Sequence, residues 1–220
     1  MGHIPHVLVP GPWESDPLPL TADVLHHLER VLRRRPGEPV TYTDGAGTRG
    51  SGIFRGDGVE RGEEQTSPRS VRRVTIAVAA PHSSDRARLI VEKLGELGVD
   101  RLMWLESEHG SPHAPRPDKA RAWAVSALQQ SQGDRLLEIS GPVPISNLWS
   151  QGEAVCVADQ SGRPVTDVGE SRDVVVMIGP EGGFAAGEVP EEAIPVSLGP
   201  RILRTETAAI VAAAFFGASR

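Results

Sequence analysis

Two stretches toward the C-terminal end of the chain place glycine and proline directly after strand-like apolar runs: residues 174–188, VVVMIGPEGGFAAGE, and residues 196–216, VSLGPRILRTETAAIVAAAFF. A strand ending in Gly and Pro exposes backbone amides and carbonyls where a ligand can come close, and two such ends side by side form a crevice. Other glycine and histidine patterns carry no chemistry. Residues 45–50, GAGTRG, match G-x-G-x-x-G, but that fingerprint must open a helix and SGIFRGDG follows, so the segment reads as a hairpin loop. His109 and His113 have the spacing of a metal pair on a helix, yet EHGSPHAPRP is too rich in Gly and Pro to be helical, and no metal site is expected. GPEGGF also lacks the Lys and Ser/Thr of a phosphate-binding Walker loop.

The elements that must hold the crevice follow from hydrophobic period. LTADVLHHLERVLRRRPGE predicts an amphipathic helix capped by Thr21, with Val24, Leu25, Leu28, Val31 and Leu32 at helical spacing and Pro36-Gly37 as the stop. PVTYTDGAGTRGSGIFRGDG then breaks into short β-prone pieces separated by glycine turns. The later part of the polar stretch 57–70 is expected to separate two domains, 1–68 and 69–220. Beyond Val71, strands alternate with helices. VRRVTIAVAA, RLMWLE, EAVCVA, DVVVMI and IPVSL read as strands, and SSDRARLIVEKLGELGV, PDKARAWAVSALQQS and TETAAIVAAAFF as helices. Near-continuous apolar strands with amphipathic helices between them indicate an α/β fold, a parallel sheet covered on both faces.

Composition sets outer bounds. A hydrophobic content of 39% in 220 residues is ordinary for a globular protein. The longest apolar run falls far short of the ~20 residues that span a bilayer. MGHIPHVLVPGPW lacks the basic head and apolar middle of a signal peptide, so a cytoplasmic location is expected. Cys156, in AVCVA, reads as a small buried hydrophobe. The net charge of −6 argues against gripping nucleic acid by bulk electrostatics. Any phosphate contact must be local, and Arg30, Arg33, Arg34 and Arg35 form the densest cationic cluster, although a solvated helix face accounts for them more simply.

Taken together, IGPEGGF with Glu188 and LGPRILRTETAA resemble the RsmE family of 16S ribosomal RNA uridine-N3 methyltransferases, of the SPOUT class. HLERVLRRRPGEPVTYTDGAGTRGSGIF looks like that family's N-terminal PUA-like β-barrel, and ALQQSQGDRLLEI, with Arg135, like its RNA-facing segment. The resemblance implies a PUA-like barrel over 1–68, a SPOUT-type sheet with a C-terminal trefoil knot over 69–220, S-adenosylmethionine (SAM) as methyl donor, ribosomal RNA as partner, and a homodimer. It places Ile178, Gly179, Glu181 and Gly182 on one wall of the donor site and Leu198, Gly199 and Pro200 on another. Ile202 and Leu203 would form the floor, with Ala158 and Asp159 closing it. Arg204 would stabilise a uracil anion or hold a phosphate, with Glu206 orienting that arginine or bracing the knot, and Arg30, Arg33, Arg34 and Arg135 would meet RNA.

Departures from the family pattern fall on expected RNA contacts. Arginines are replaced by His3, His6, His109 and Gly133, and Pro190 interrupts the helix expected after GPEGG. Losing permanent cations weakens phosphate binding. Two further readings therefore stand beside the first: a divergent SPOUT paralogue acting on another RNA or a small acceptor, and a binding protein that no longer catalyses.

Overall fold

The computed structural model describes residues 4–148, 153–168 and 173–217; His3 lies outside them. The chain divides into two compact units, Met1–Arg69 with Leu128–Leu136, and Ser70–Ala127 with Leu137–Arg220.

The first unit is a five-stranded sheet in the order β1-β3-β4-β5-β2. Its strands are β1 (His6–Leu8), β2 (Leu18–Pro19), β3 (Pro39–Thr43), β4 (Thr48–Phe54) and β5 (Gly58–Thr66). β3 and β4 form the expected hairpin, with GAGTRG as its loop and the start of β4. β5 runs through most of the polar stretch 57–70. Its ladder to β4 and β2 forms despite a polar sequence because the backbone supplies the bonds. The predicted helix is shorter than its apolar period: α1 (Ala22–His26) widens into a π-turn over His27–Val31, and Arg33 enters the left-handed region at φ 53°. Leu28 is buried, whereas Val31 and Leu32 are exposed. The core joins Leu28 to Val7, Val40, Tyr42 and Phe54, and Trp13 meets the Tyr42 ring edge-on at 4.9 Å.

The second unit is a six-stranded sheet, β11-β9-β10-β6-β7-β8, and every pairing in it is parallel. Its strands are β6 (Val74–Ala79), β7 (Arg101–Glu106), β8 (Glu138–Pro144), β9 (Ala154–Pro164), β10 (Val174–Ile178) and β11 (Ile194–Ser197). β6 and β10 are buried along their whole length, as continuous apolar runs require. α2 (Ser84–Glu96) starts on the Ser83 cap and buries Ala87, Ile90, Val91 and Leu94; Leu97 lies just past its end and is exposed. α3 (Pro117–Ser131) buries Ala120, Trp123, Ala124, Ala127 and Leu128 as its period predicts. α4 (Thr205–Gly217) is apolar all round and packs against α2 and β6. β8 has no apolar run, and it completes the sheet as an edge strand. No helix among the described residues is long and apolar enough to cross a membrane.

Candidate functional site

Because β9 lies between β10 and β11 and all three run parallel, their carboxyl ends emerge at one edge of the sheet. The two glycine loops of the sequence leave from that edge. Residues 179–193 form turns rather than the interrupted helix expected there. Their shape comes from side chains: the Glu188 carboxylate accepts from the amides of Glu108 at 2.7 Å and Ala185 at 2.6 Å. His109 Nδ1 donates to the Gly183 carbonyl at 3.1 Å, so this histidine holds the loop. Phe184 and Val189 anchor the turn on the core around Met177.

The second loop is joined to the first. Thr205, at the start of α4, donates its hydroxyl to the Gly179 carbonyl at 3.0 Å, and Gln160 donates to the Pro200 carbonyl at 3.2 Å. Gly199 has φ 146° with open space where a Cβ would stand, and its amide and carbonyl both bond the Ser197 hydroxyl, at 3.4 and 3.2 Å. Between the loops, the β9–β11 register jumps from Val157 to Arg163, which throws residues 158–162 out as an excursion. Asp159 closes it by accepting from the Ser161 amide and hydroxyl, both at 2.7 Å, and these bonds hold its carboxyl below the usual range. At Gly162 a Cβ would sit 2.5 Å from the Val196 amide nitrogen, so only glycine lets the excursion rejoin β11.

Most of the predicted donor-site residues therefore border one edge of the sheet: Ala158 and Asp159 on the excursion, Ile178, Gly179, Glu181 and Gly182 at the first loop, Leu198, Gly199, Pro200 and Leu203 at the second. Ile202, expected in the floor, is 87% exposed. Arg204 is exposed, and its guanidinium has no partner among the described residues. Glu206 does not orient it. The Glu206 carboxylate is buried, 3.8 Å from Arg86 of α2, and Arg86 is hydrogen-bonded to Glu181. Sequence reasoning missed Arg86, because its partners lie far along the chain and no spacing connects them.

In the first unit Arg30, Arg33 and Arg35 are exposed, and Arg34 pairs with Glu38 at 3.7 Å. Arg135 is occupied internally: it donates to the carbonyls of Ala46 and Ser67, both at 2.6 Å, with its guanidinium over Gly47. His6 is buried, donating from Nε2 to the Gly133 carbonyl at 2.9 Å, with Nδ1 2.9 Å from the Thr41 hydroxyl; burial lowers its pKa. Two positions where the family pattern carries arginine thus bind each other. The described residues contain no group of His, Cys, Asp and Glu able to hold a metal.

Comparison with known proteins identifies the family. An RNA methyltransferase domain family matches residues 68–217. Ribosomal RNA small subunit methyltransferase E of Mycobacterium bovis is 30% identical over 210 residues, covering 84% of this chain and 80% of that protein. The crystal structure of a probable rRNA-methyltransferase from Porphyromonas gingivalis aligns with TM-score 0.82 and 32% identity, over 98% of this chain and 99% of that one. Ribosomal RNA small subunit methyltransferase E from Neisseria gonorrhoeae, solved bound to S-adenosyl methionine, aligns with TM-score 0.86 and 26% identity over 96% of each chain. With the family match spanning the glycine-loop edge, and relatives aligned along nearly the whole length, the chain belongs to the RsmE family of ribosomal RNA methyltransferases.

Proposed function

We infer that the protein is a SAM-dependent methyltransferase of small-subunit ribosomal RNA, and we propose N3 of a uridine as the methylated atom. The observation that carries this reading is the emergence of both glycine loops at the β9, β10 and β11 ends, tied by the Thr205–Gly179 bond, inside the segment that matches the family. The residues present fit the donor. Backbone groups of Gly179, Gly182, Leu198 and Gly199 can read an adenine edge, and Glu206 keeps a carboxylate oxygen without a partner where a cationic centre can complement it. Bound SAM supplies a methyl group already activated by a sulfonium sulfur.

What remains for the chain is positioning. Glu188 and His109 fix the first loop, and Thr205 fixes the second against it. Arg204, exposed and without a partner among the described residues, is the cation that would stabilise the anion left when a uracil N3 loses its proton, or hold a neighbouring phosphate. Arg30, Arg33 and Arg34 would add local phosphate contacts from residues 1–68, the part of the first unit that we take as the PUA-like RNA-binding domain. In the same reading residues 69–220 form a SPOUT domain whose glycine loops belong to a trefoil knot. Knots of two subunits would pack together, a role the exposed Phe215 of α4 suits.

The test is methyl transfer from labelled SAM to small ribosomal subunits lacking the modification, with the labelled nucleotide mapped. Incorporation at a uridine N3 is expected, and no incorporation into any RNA would remove the reading. The His6–Gly133 bond favours a second reading, a paralogue with another RNA target, because neither residue offers a cation there. Label entering total RNA at a site outside small-subunit RNA, with none entering the small subunits, would establish it.

A further inference from the structure

Glu206 combines burial with incomplete pairing. It is 9% exposed, its Oε1 lies 3.8 Å from Arg86 Nε, and its Oε2 has no hydrogen-bond partner among the described residues. Arg86 makes its closer contact with Glu181, on the first glycine loop. One cation is thus shared by two carboxylates, and the more buried carboxylate is the less compensated. A buried carboxylate oxygen without a donor is costly, and native structures keep few of them. Its neighbour Thr205 joins the two loops through Gly179, so the unbalanced negative charge sits at their junction.

We propose that Glu206 is a specificity-determining residue of the methyl-donor site: its incompletely paired carboxylate favours a cationic sulfonium ligand over the neutral thioether product, and Arg86 sets the strength of that preference. The proposal rests on the methyltransferase reading. SAM and S-adenosylhomocysteine share adenine, ribose and amino-acid groups and differ by the methyl and one positive charge at sulfur. Loop contacts to the shared groups bind both alike, whereas a buried carboxylate discriminates between them. Charges held a few ångströms apart in a partly dry site interact several times more strongly than in water. Methyl transfer cancels the attraction, so the spent ligand is held less tightly than the donor it came from.

The experiment is calorimetric titration of SAM and of S-adenosylhomocysteine into the wild type, Glu206→Gln, Glu206→Asp and Arg86→Gln, with thermal unfolding of each as a control for folding. The readout is the ratio of the homocysteine ligand's dissociation constant to that of SAM. Glu206→Gln is expected to lower this ratio about tenfold, mostly through weaker SAM binding. Glu206→Asp keeps it within about threefold, and Arg86→Gln raises it by leaving the carboxylate uncompensated. An unchanged ratio in a folded Glu206→Gln variant overturns the proposal, as does a lowered ratio in Arg86→Gln. If Glu206→Gln fails to fold, the direction in Arg86→Gln still decides. Wild-type protein that binds neither ligand would refute the methyltransferase reading itself, whereas wild-type binding with an unmoved ratio refutes only the role of Glu206.

Discussion

In the first unit Arg61 and Arg135 close on the protein's own carboxylates and carbonyls, whereas at the carboxyl edge of the parallel sheet one arginine is shared between two carboxylates and another has no partner among the described residues. Arg135 grips the Ala46 and Ser67 carbonyls, and Arg61 holds both Glu64 oxygens at 2.8 Å. That ion pair keeps the Glu64 carboxyl below its ordinary range, while burial, with the bond to Glu64, pushes the Tyr42 hydroxyl up to about 12. At the other site Arg86 bridges Glu181 and Glu206, the Glu206 Oε2 is unpartnered, and Arg204 stands exposed. Satisfied polar groups hold a structure together, and unsatisfied ones mark where a ligand completes it. By that measure Arg135 is a clasp, and the Glu206 carboxylate is the group we propose a ligand completes.

The contrast can be broken most severely at Gly162. Gly162→Val places side-chain atoms against the Val196 and Pro195 backbone, and about 3 kcal/mol of stability should be lost in urea unfolding, together with SAM binding. Arg135→Ala should remove about 2 kcal/mol while leaving the salt dependence of RNA binding unchanged; a shallower salt slope would make it an RNA contact instead. The double variant Arg30→Ala, Arg33→Ala sharpens the distinction from the other side. Stability should stay within ~0.5 kcal/mol, and the slope of log affinity against log salt should fall by about 1 to 2.

His6 gives a smaller, pH-dependent effect. Its native pKa is lowered from 6.5, chiefly by burial, so below that value the unfolded chain takes up the proton first. Its contribution is complete above about pH 6.5 and is lost as pH falls toward the lowered native value. Stability should therefore decline between pH 7 and 5, and His6→Gln should flatten that part of the curve. Smallest of all, Cys156 should resist thiol reagents at pH 8 in the folded protein, because burial pushes its thiol up to about 11.

How far sequence alone reaches differs between the same two regions. The buried strands β6 and β10 and the inward faces of α2 and α3 were legible because burial on both sides of a sheet demands continuous apolar runs and packed helices demand a 3.6-residue period. β5 and β8 were not, since their pairing is carried by backbone bonds that leave no hydrophobic trace. The glycine loops were visible as motifs and in family resemblance. Their internal bracing was hidden: Glu188 bonds the amide of Glu108, and Arg86 reaches Glu181 and Glu206, across separations that no local pattern encodes. Gly133 shows the converse, a position whose importance lies in its carbonyl rather than its side chain.

Hydrogen exchange measured by mass spectrometry, with and without SAM, tests the central claim most directly. Slowed exchange should appear on the backbone of residues 158–162, 178–184 and 198–206, with the sheet of the first unit unchanged. No slowing in those three segments at saturating SAM, or slowing confined to the first unit, would contradict the account.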